Sequence, residues 1–171
     1  MIRWAGVIFI VASASSMGIR VALSLRRRCA MLRQLMAALQ LMKNEISFCG
    51  TPLPQTFALM AAACDGPLEQ LFSQIAKDMD KRRWLTPLAA MQQALKDVPE
   101  LPQGDQIALI LLELSGKLGK YDLDSQRQGI DLALAQLEEE RQKAEREQSL
   151  KGRTYETLGV CAGLAAAILL L

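Results

Sequence analysis

Few side chains in this 171-residue chain could carry out chemistry. The chain has no histidine, which excludes a Ser-His-Asp triad, a Cys-His nucleophile pair and a His-ligated zinc site. Four cysteines occur without any CxxC spacing, and this is typical of small buried residues. No glycine-rich phosphate loop of the GxxxxGK[ST] type is present. The sequence therefore predicts no catalytic residue, no cofactor site and no metal site, and so a protein that is not an enzyme.

Some carboxylates stand out by their position. Glu45 and Glu113 lie in apolar helical sequence, where each is expected to pair with a nearby lysine or to mark a polar interface. The run Glu138, Glu139, Glu140 could bind a hard cation only weakly, because adjacent residues on a helix point in different directions.

The composition predicts the fold class. Hydrophobic residues make up 51% of the chain and aromatic residues only 5%. A chain rich in Leu, Ala, Met and Gln and poor in aromatic and β-branched residues favours helix, so we expect an all-α protein. The net charge of +2 provides no attraction for nucleic acid.

The apolar residues are concentrated at the two ends. The segment from Trp4 to Ile19 has no charged residue, and apolar sequence resumes after Arg20 up to Leu25. As a helix it would span about 24 Å, or about 33 Å if Arg20 reaches the headgroups. The uncharged segment Thr157–Leu171 would span about 22 Å. We predict membrane helices at 1–25 and 154–171. The alternatives are a cleaved signal peptide at the N-terminus and a buried core helix at the C-terminus.

The charges predict the topology. Arg26, Arg27 and Arg28 follow the first apolar segment, and Lys151 and Arg153 precede the second. Basic residues are retained on the cytoplasmic side, so residues 26–153 are predicted to be cytoplasmic between two spans.

A small-residue motif lies within the second predicted span. Gly159 and Gly163 form a GxxxG motif, which allows another helix to approach closely. The pattern also arises by chance in a segment rich in alanine and glycine.

The middle region, 26–153, predicts a bundle of about six helices. Apolar residues recur at helical spacing from Arg27 to Phe48, and Gly50 ends that helix. Thr51-Pro52 and Thr86-Pro87 are each expected to start a new helix, with the threonine as N-cap and the proline at the first helical position. The intervening third helix has one apolar face. That face consists of Leu68, Leu71, Phe72, Ile75 and Met79.

The last two helices of the bundle differ in character. Gln106–Leu114 is apolar around most of its circumference, which predicts the central buried helix. The final helix is capped by Asp122 or Asp124 and has one apolar face, with Ile130, Leu134 and Leu137. Its stretch 138–147 alternates in charge, which predicts a solvated helix that pairs with itself. The alternative is that this stretch is a docking surface for a partner.

The order of these segments resembles a known family. The resemblance is carried by Lys43-Asn44-Glu45-Ile46, by Thr51-Pro52-Leu53, by Glu113-Leu114 with Leu118-Gly119, and by Tyr155-Glu156 before Leu158-Gly159. In this order and at this length, the chain resembles the stage III sporulation protein AB family of endospore-forming bacteria. The segment Glu113-Leu114-Ser115-Gly116-Lys117-Leu118 is also similar to a motif of the cytoplasmic domain of type II secretion and type IV pilus platform proteins.

The resemblance implies a function and partners. It implies a two-pass protein of the mother-cell membrane that faces the forespore, in a channel-like complex with other sporulation membrane proteins. A cytoplasmic secretion-type ATPase would dock on it. Secretion platforms carry two copies of the domain, and a homo-oligomer is one way to replace the copy that is missing here.

Exposure and charge suggest the contact residues of such a platform. The candidate partner-binding residues are Arg26, Arg27, Arg28, Lys81, Arg82, Arg83, Glu138, Glu139 and Glu140.

An alternative function is that of a membrane-anchored regulatory or scaffold protein with a coiled-coil stalk, although sustained heptads are absent.

Overall fold

The computed structural model describes residues 23–82, 85–101, 104–120 and 122–149 with their side chains, and the helical backbone of 2–22 and 150–170. Within these residues all regular structure is helical, which confirms the all-α prediction. Six α-helices follow one another. They are α1 (Ile2–Asn44), α2 (Leu53–Ala62), α3 (Pro67–Lys81), α4 (Pro87–Ala94), α5 (Gln106–Lys117) and α6 (Leu123–Leu170). A π-helical turn, Glu45–Cys49, ends α1, and a 3-10 turn, Leu95–Asp97, ends α4.

The chain divides into two compact units. One consists of Met31–Arg141 and the other of Met1–Ala30 with Gln142–Leu171. We call them the bundle and the terminal unit. The predicted membrane helices fall in the terminal unit and, apart from residues 23–25, lie outside the residues whose side chains are described. Among the described residues, no helix is both long and apolar enough to cross a membrane.

The core of the bundle is built from the predicted apolar faces. All five residues predicted for the face of α3 are buried, as are Ile130, Leu134 and Leu137 of α6. Phe57 of α2 stacks on Phe72 of α3, with ring centroids 6.2 Å apart. Since residues three and four apart share one side of a helix, these periodic positions face the same neighbour.

The two Thr-Pro sequences behave differently. Thr86 caps α4 as predicted, and its hydroxyl accepts a hydrogen bond from the Ala89 backbone N–H at 3.3 Å. Thr51 does not cap α2, whose first helical residue is Leu53. Its hydroxyl instead donates to the Glu45 carboxylate at 2.6 Å. Because α2 begins at Leu53, its N-cap position falls on Pro52 and not on Thr51, so the predicted cap at Thr51 is wrong.

The all-round burial predicted for α5 is also wrong. Ile107, Ile110, Leu111 and Leu114 are buried, but Leu109 is 48% exposed. The helix lies against the bundle on one side only. Glu113, on the outer side, forms a 2.8 Å ion pair with Lys117 one turn later, as predicted for this carboxylate.

Candidate interaction surfaces

The predicted arginine cluster lies in the terminal unit. Arg26 and Arg27 are exposed and Arg28 is partly buried. Consecutive residues on an α-helix are about 100° apart, so the three side chains leave α1 in different directions. The cluster therefore surrounds part of the helix and does not form a single flat patch.

A second predicted basic cluster ends α3 in the bundle. Lys81 and Arg82 are exposed, whereas Arg83 lies outside the described residues. The Arg82 backbone N–H donates to the Asp78 carbonyl at 3.0 Å and closes the helix. Cations at a helix C-terminus interact favourably with the helix dipole, which gives Lys81 and Arg82 a local role besides any role in binding.

The predicted acidic cluster lies on α6 and belongs to the bundle. Glu139 is exposed, and Glu138 and Glu140 are partly buried. Glu138 accepts two hydrogen bonds from Arg141, at 2.7 Å from Nη2 and 2.9 Å from Nε. All three glutamates have interactions within the chain. The Glu138–Arg141 pair lies within this stretch, as its charge pattern predicts.

The most exposed large apolar side chain of the described residues was not singled out from the sequence. Phe48 is 83% exposed, in the π-helical turn that ends α1. Its neighbour Cys49 is also exposed, contrary to the prediction that the cysteines are buried. Phe48 follows buried Ile46 by two positions, which on a helix is the opposite side. That offset from the apolar repeat is the signal that could have identified it.

A second exposed apolar residue begins α6. Leu123, the first residue of α6, is 56% exposed. The loop before it packs on the start of α2, since a Cβ placed on Gly119 would lie 3.3 Å from Leu53 Cδ1. Leu53 follows the π-helical turn closely in sequence. Phe48 and Leu123 are thus the two most exposed large apolar side chains of the described residues.

A polar groove of about 400 Å³ separates α3 from the end of α4. Its charged lining residues, Glu69, Lys77 and Asp97, have both signs, so the groove favours neither an anionic nor a cationic ligand. Among the residues with described side chains, no group of three His, Cys, Asp or Glu is placed to hold a metal ion.

Among the described residues, Cys64 and Asp122 have clearly shifted pKa values. Burial, with a smaller contribution from Asp65, raises the pKa of the Cys64 thiol to about 11. This thiol is therefore protonated at neutral pH and is a poor nucleophile. The pKa of Asp122 is lowered from its usual value, mainly by a hydrogen bond from the Ser125 hydroxyl. Asp122 also accepts from the Gln126 backbone N–H through its carbonyl, so of the two predicted caps it is Asp122 that begins α6.

The chain is similar to known proteins of one family. A family model described as "Stage III sporulation protein AB" matches residues 3–171. The Stage III sporulation protein AB of Bacillus subtilis (strain 168) is 32% identical over 177 residues, which cover 100% of both chains. A solved structure of a Stage III sporulation protein AB superimposes with a TM-score of 0.65 at 32% identity, over 72% of this chain and 98% of that chain.

Proposed function

Because the chain belongs to the stage III sporulation protein AB family and its role is thus related to sporulation, we propose that it is a structural membrane platform. In this role it sits in the mother-cell membrane that faces the forespore, within a channel-like complex of sporulation membrane proteins. It provides the docking site for a companion secretion-type ATPase in the mother-cell cytoplasm.

The division of the chain into two units is the observation that best supports this proposal. The bundle is one continuous stretch, Met31–Arg141, whereas both ends of the chain belong to the terminal unit. Both strongly apolar segments of the sequence are in that terminal unit. A docking platform needs a folded domain that is separate from its anchor, and this division provides one.

The proposed topology has two spans with the bundle in the cytoplasm. It is supported by the basic residues that flank both apolar segments. In the terminal unit, Cys29 of α1 donates to the Gln148 side chain of α6 at 3.7 Å, so α1 and α6 lie side by side at these two residues. Gly159 and Gly163 are proposed to pack the second span against another helix. A reporter fused to the C-terminus should be active only outside the cytoplasm, and a cytoplasmic signal would contradict this topology.

The docking surface is proposed to lie on the bundle. Its charged candidates are a basic cluster, Lys81, Arg82 and Arg83, and an acidic cluster, Glu138, Glu139 and Glu140. To these we add Phe48, because exposed aromatic side chains often anchor the centre of an interface.

Binding of the purified companion ATPase to the 26–153 fragment and to the full chain in detergent tests the proposal. Wild-type protein should bind, and Phe48→Ser should weaken binding by about tenfold or more, as expected for an interface anchor. Leu109→Ser is the matched control, since Leu109 is similarly apolar and 48% exposed but lies on α5. No detectable binding by either form of the wild-type protein would falsify direct docking.

The alternative of a coiled-coil stalk is less well supported. A stalk needs the apolar face of α6 for a second chain, but Ile130, Leu134 and Leu137 are buried within this chain. Crosslinking along residues 130–150 distinguishes the two functions, because a stalk predicts a parallel homodimer there. The platform proposal permits a homo-oligomer through other surfaces.

A further inference from the structure

The arginine cluster after the first apolar segment is separate from the bundle. Arg26 and Arg27 belong to the terminal unit, together with both apolar ends of the chain. Both side chains are exposed. These two guanidinium groups are therefore available to an external anion.

The arrangement of the cluster indicates the kind of anion. Side chains about 100° apart on a helix leave it in different directions. A lipid headgroup layer can contact both arginines, because it surrounds a helix that passes through it. Arg26 also comes directly after the apolar segment that ends at Leu25, the position where a membrane helix would leave the hydrocarbon region.

We propose that Arg26 and Arg27 bind the phosphate groups of anionic phospholipids at the cytoplasmic surface of the membrane. The guanidinium group is planar and can form two parallel hydrogen bonds with a phosphate. Basic residues next to a membrane segment are also attracted by the negative potential of an anionic leaflet. This inference depends on the proposed membrane anchorage. Under this inference Arg26 and Arg27 contact lipid headgroups and are not part of the ATPase-docking surface.

Native mass spectrometry of the full chain in detergent tests this inference. The protein is mixed with equal amounts of phosphatidylglycerol and phosphatidylcholine that have the same acyl chains, and the retained lipids are compared. The wild-type chain should favour phosphatidylglycerol on the order of tenfold, the effect expected of two juxtamembrane arginines. The Arg26→Gln/Arg27→Gln variant should lose most of that preference, and higher salt should weaken it in the wild type.

The matched control is Lys81→Gln/Arg82→Gln, which removes the same charge from the exposed end of α3. This variant should keep the preference for phosphatidylglycerol. An equal loss in both variants would overturn the inference, because net charge and not the cluster would then determine lipid selection. Equal retention of both lipids by the wild type would overturn it as well.

Two further measurements separate this inference from the proposed function. If carbonate extraction removes the full chain from membranes, the anchorage itself is wrong and the inference falls with it. If the chain stays in the membrane and Arg26→Gln/Arg27→Gln loses ATPase binding while it keeps its lipid preference, the arginines belong to the protein interface. In that case only the lipid inference is overturned.

Discussion

Lys43 and Asp131 form a 2.6 Å ion pair between residues 88 positions apart in the sequence. The pair joins the end of α1 to the early part of α6, the two helices that connect the bundle to the terminal unit. A Cβ placed on Gly119, in the loop before α6, would lie 3.3 Å from Leu53 Cδ1 at the start of α2. Both approaches join an early part of the bundle's sequence to a late part.

The Lys43–Asp131 pair is expected to contribute little to stability. Its side chains are 27% and 52% exposed, so water screens the attraction. A double-mutant cycle with Lys43→Gln and Asp131→Asn should give a coupling energy of about 0.2–1 kcal/mol in the free energy of unfolding. The measurement is urea unfolding of the 26–153 fragment, and the coupling should shrink in 1 M salt. A coupling well above this range that is insensitive to salt would contradict a surface pair.

Truncation of Phe57 and of Phe48 should have very different effects on stability. Phe57→Ala removes a buried ring that stacks on Phe72, and it should lower the free energy of unfolding by about 3–5 kcal/mol. Phe48→Ala removes an exposed ring and should change it by less than about 0.5 kcal/mol. Denaturant unfolding of both variants in the same fragment provides the comparison. Similar losses in both would show that Phe48 supports the fold.

Two glycines should differ in sign when replaced by alanine. Gly50 ends the π-helical turn at φ 61°, a region that costs a residue with a Cβ about 1–2 kcal/mol. Gly116 lies inside α5, and a Cβ there would meet no atom within 4 Å. Gly116→Ala should therefore stabilise the fragment by about 0.4–1 kcal/mol, whereas Gly50→Ala should destabilise it. Thermal unfolding reports both changes, and a stabilising Gly50→Ala would argue against the left-handed conformation.

Asp122 should make the stability depend on acid pH. Its pKa in the folded protein is lowered from the usual value of 3.8. A lowered carboxyl pKa contributes stability that is present above the unfolded pKa and is lost as the pH falls through the folded pKa. The melting temperature of the fragment should therefore fall below about pH 3.8 more steeply in the wild type than in Asp122→Asn. Identical pH profiles would mean that the cap carries no charge-dependent stability.

Two of the free cysteines should differ in reactivity. Cys49 is exposed, whereas Cys64 is buried and has a pKa of about 11. Because the thiolate is the nucleophile, maleimide at neutral pH should label Cys49 first and Cys64 only on unfolding. Peptide mass spectrometry of the 26–153 fragment, which lacks Cys161, reads out each site. Cys49→Ser should abolish the fast phase, and rapid labelling in that variant would point to local opening around Cys64.

Local patterns predicted the helices well because helix formation depends on near neighbours in sequence. The apolar spacing of α3 identified its buried face, and Gly50 marked the end of the first helical segment. The charge alternation after Leu137 likewise predicted the Glu138–Arg141 pair, which lies within one turn. The ordered set of such segments was also enough to indicate the family, which the comparisons confirm.

The sequence by itself thus determined the helical class, most helix boundaries and the family of this protein. The tertiary structure decided which residues of the same type are buried and which form the expected hydrogen bond. Leu109 and Leu111 lie on the same apolar helix, but only Leu111 faces a neighbour, and Thr51 and Thr86 precede the same residues but only Thr86 caps its helix. Burial and hydrogen bonding depend on the groups that folding brings alongside each residue. The spacing within one helix contains no information about those groups.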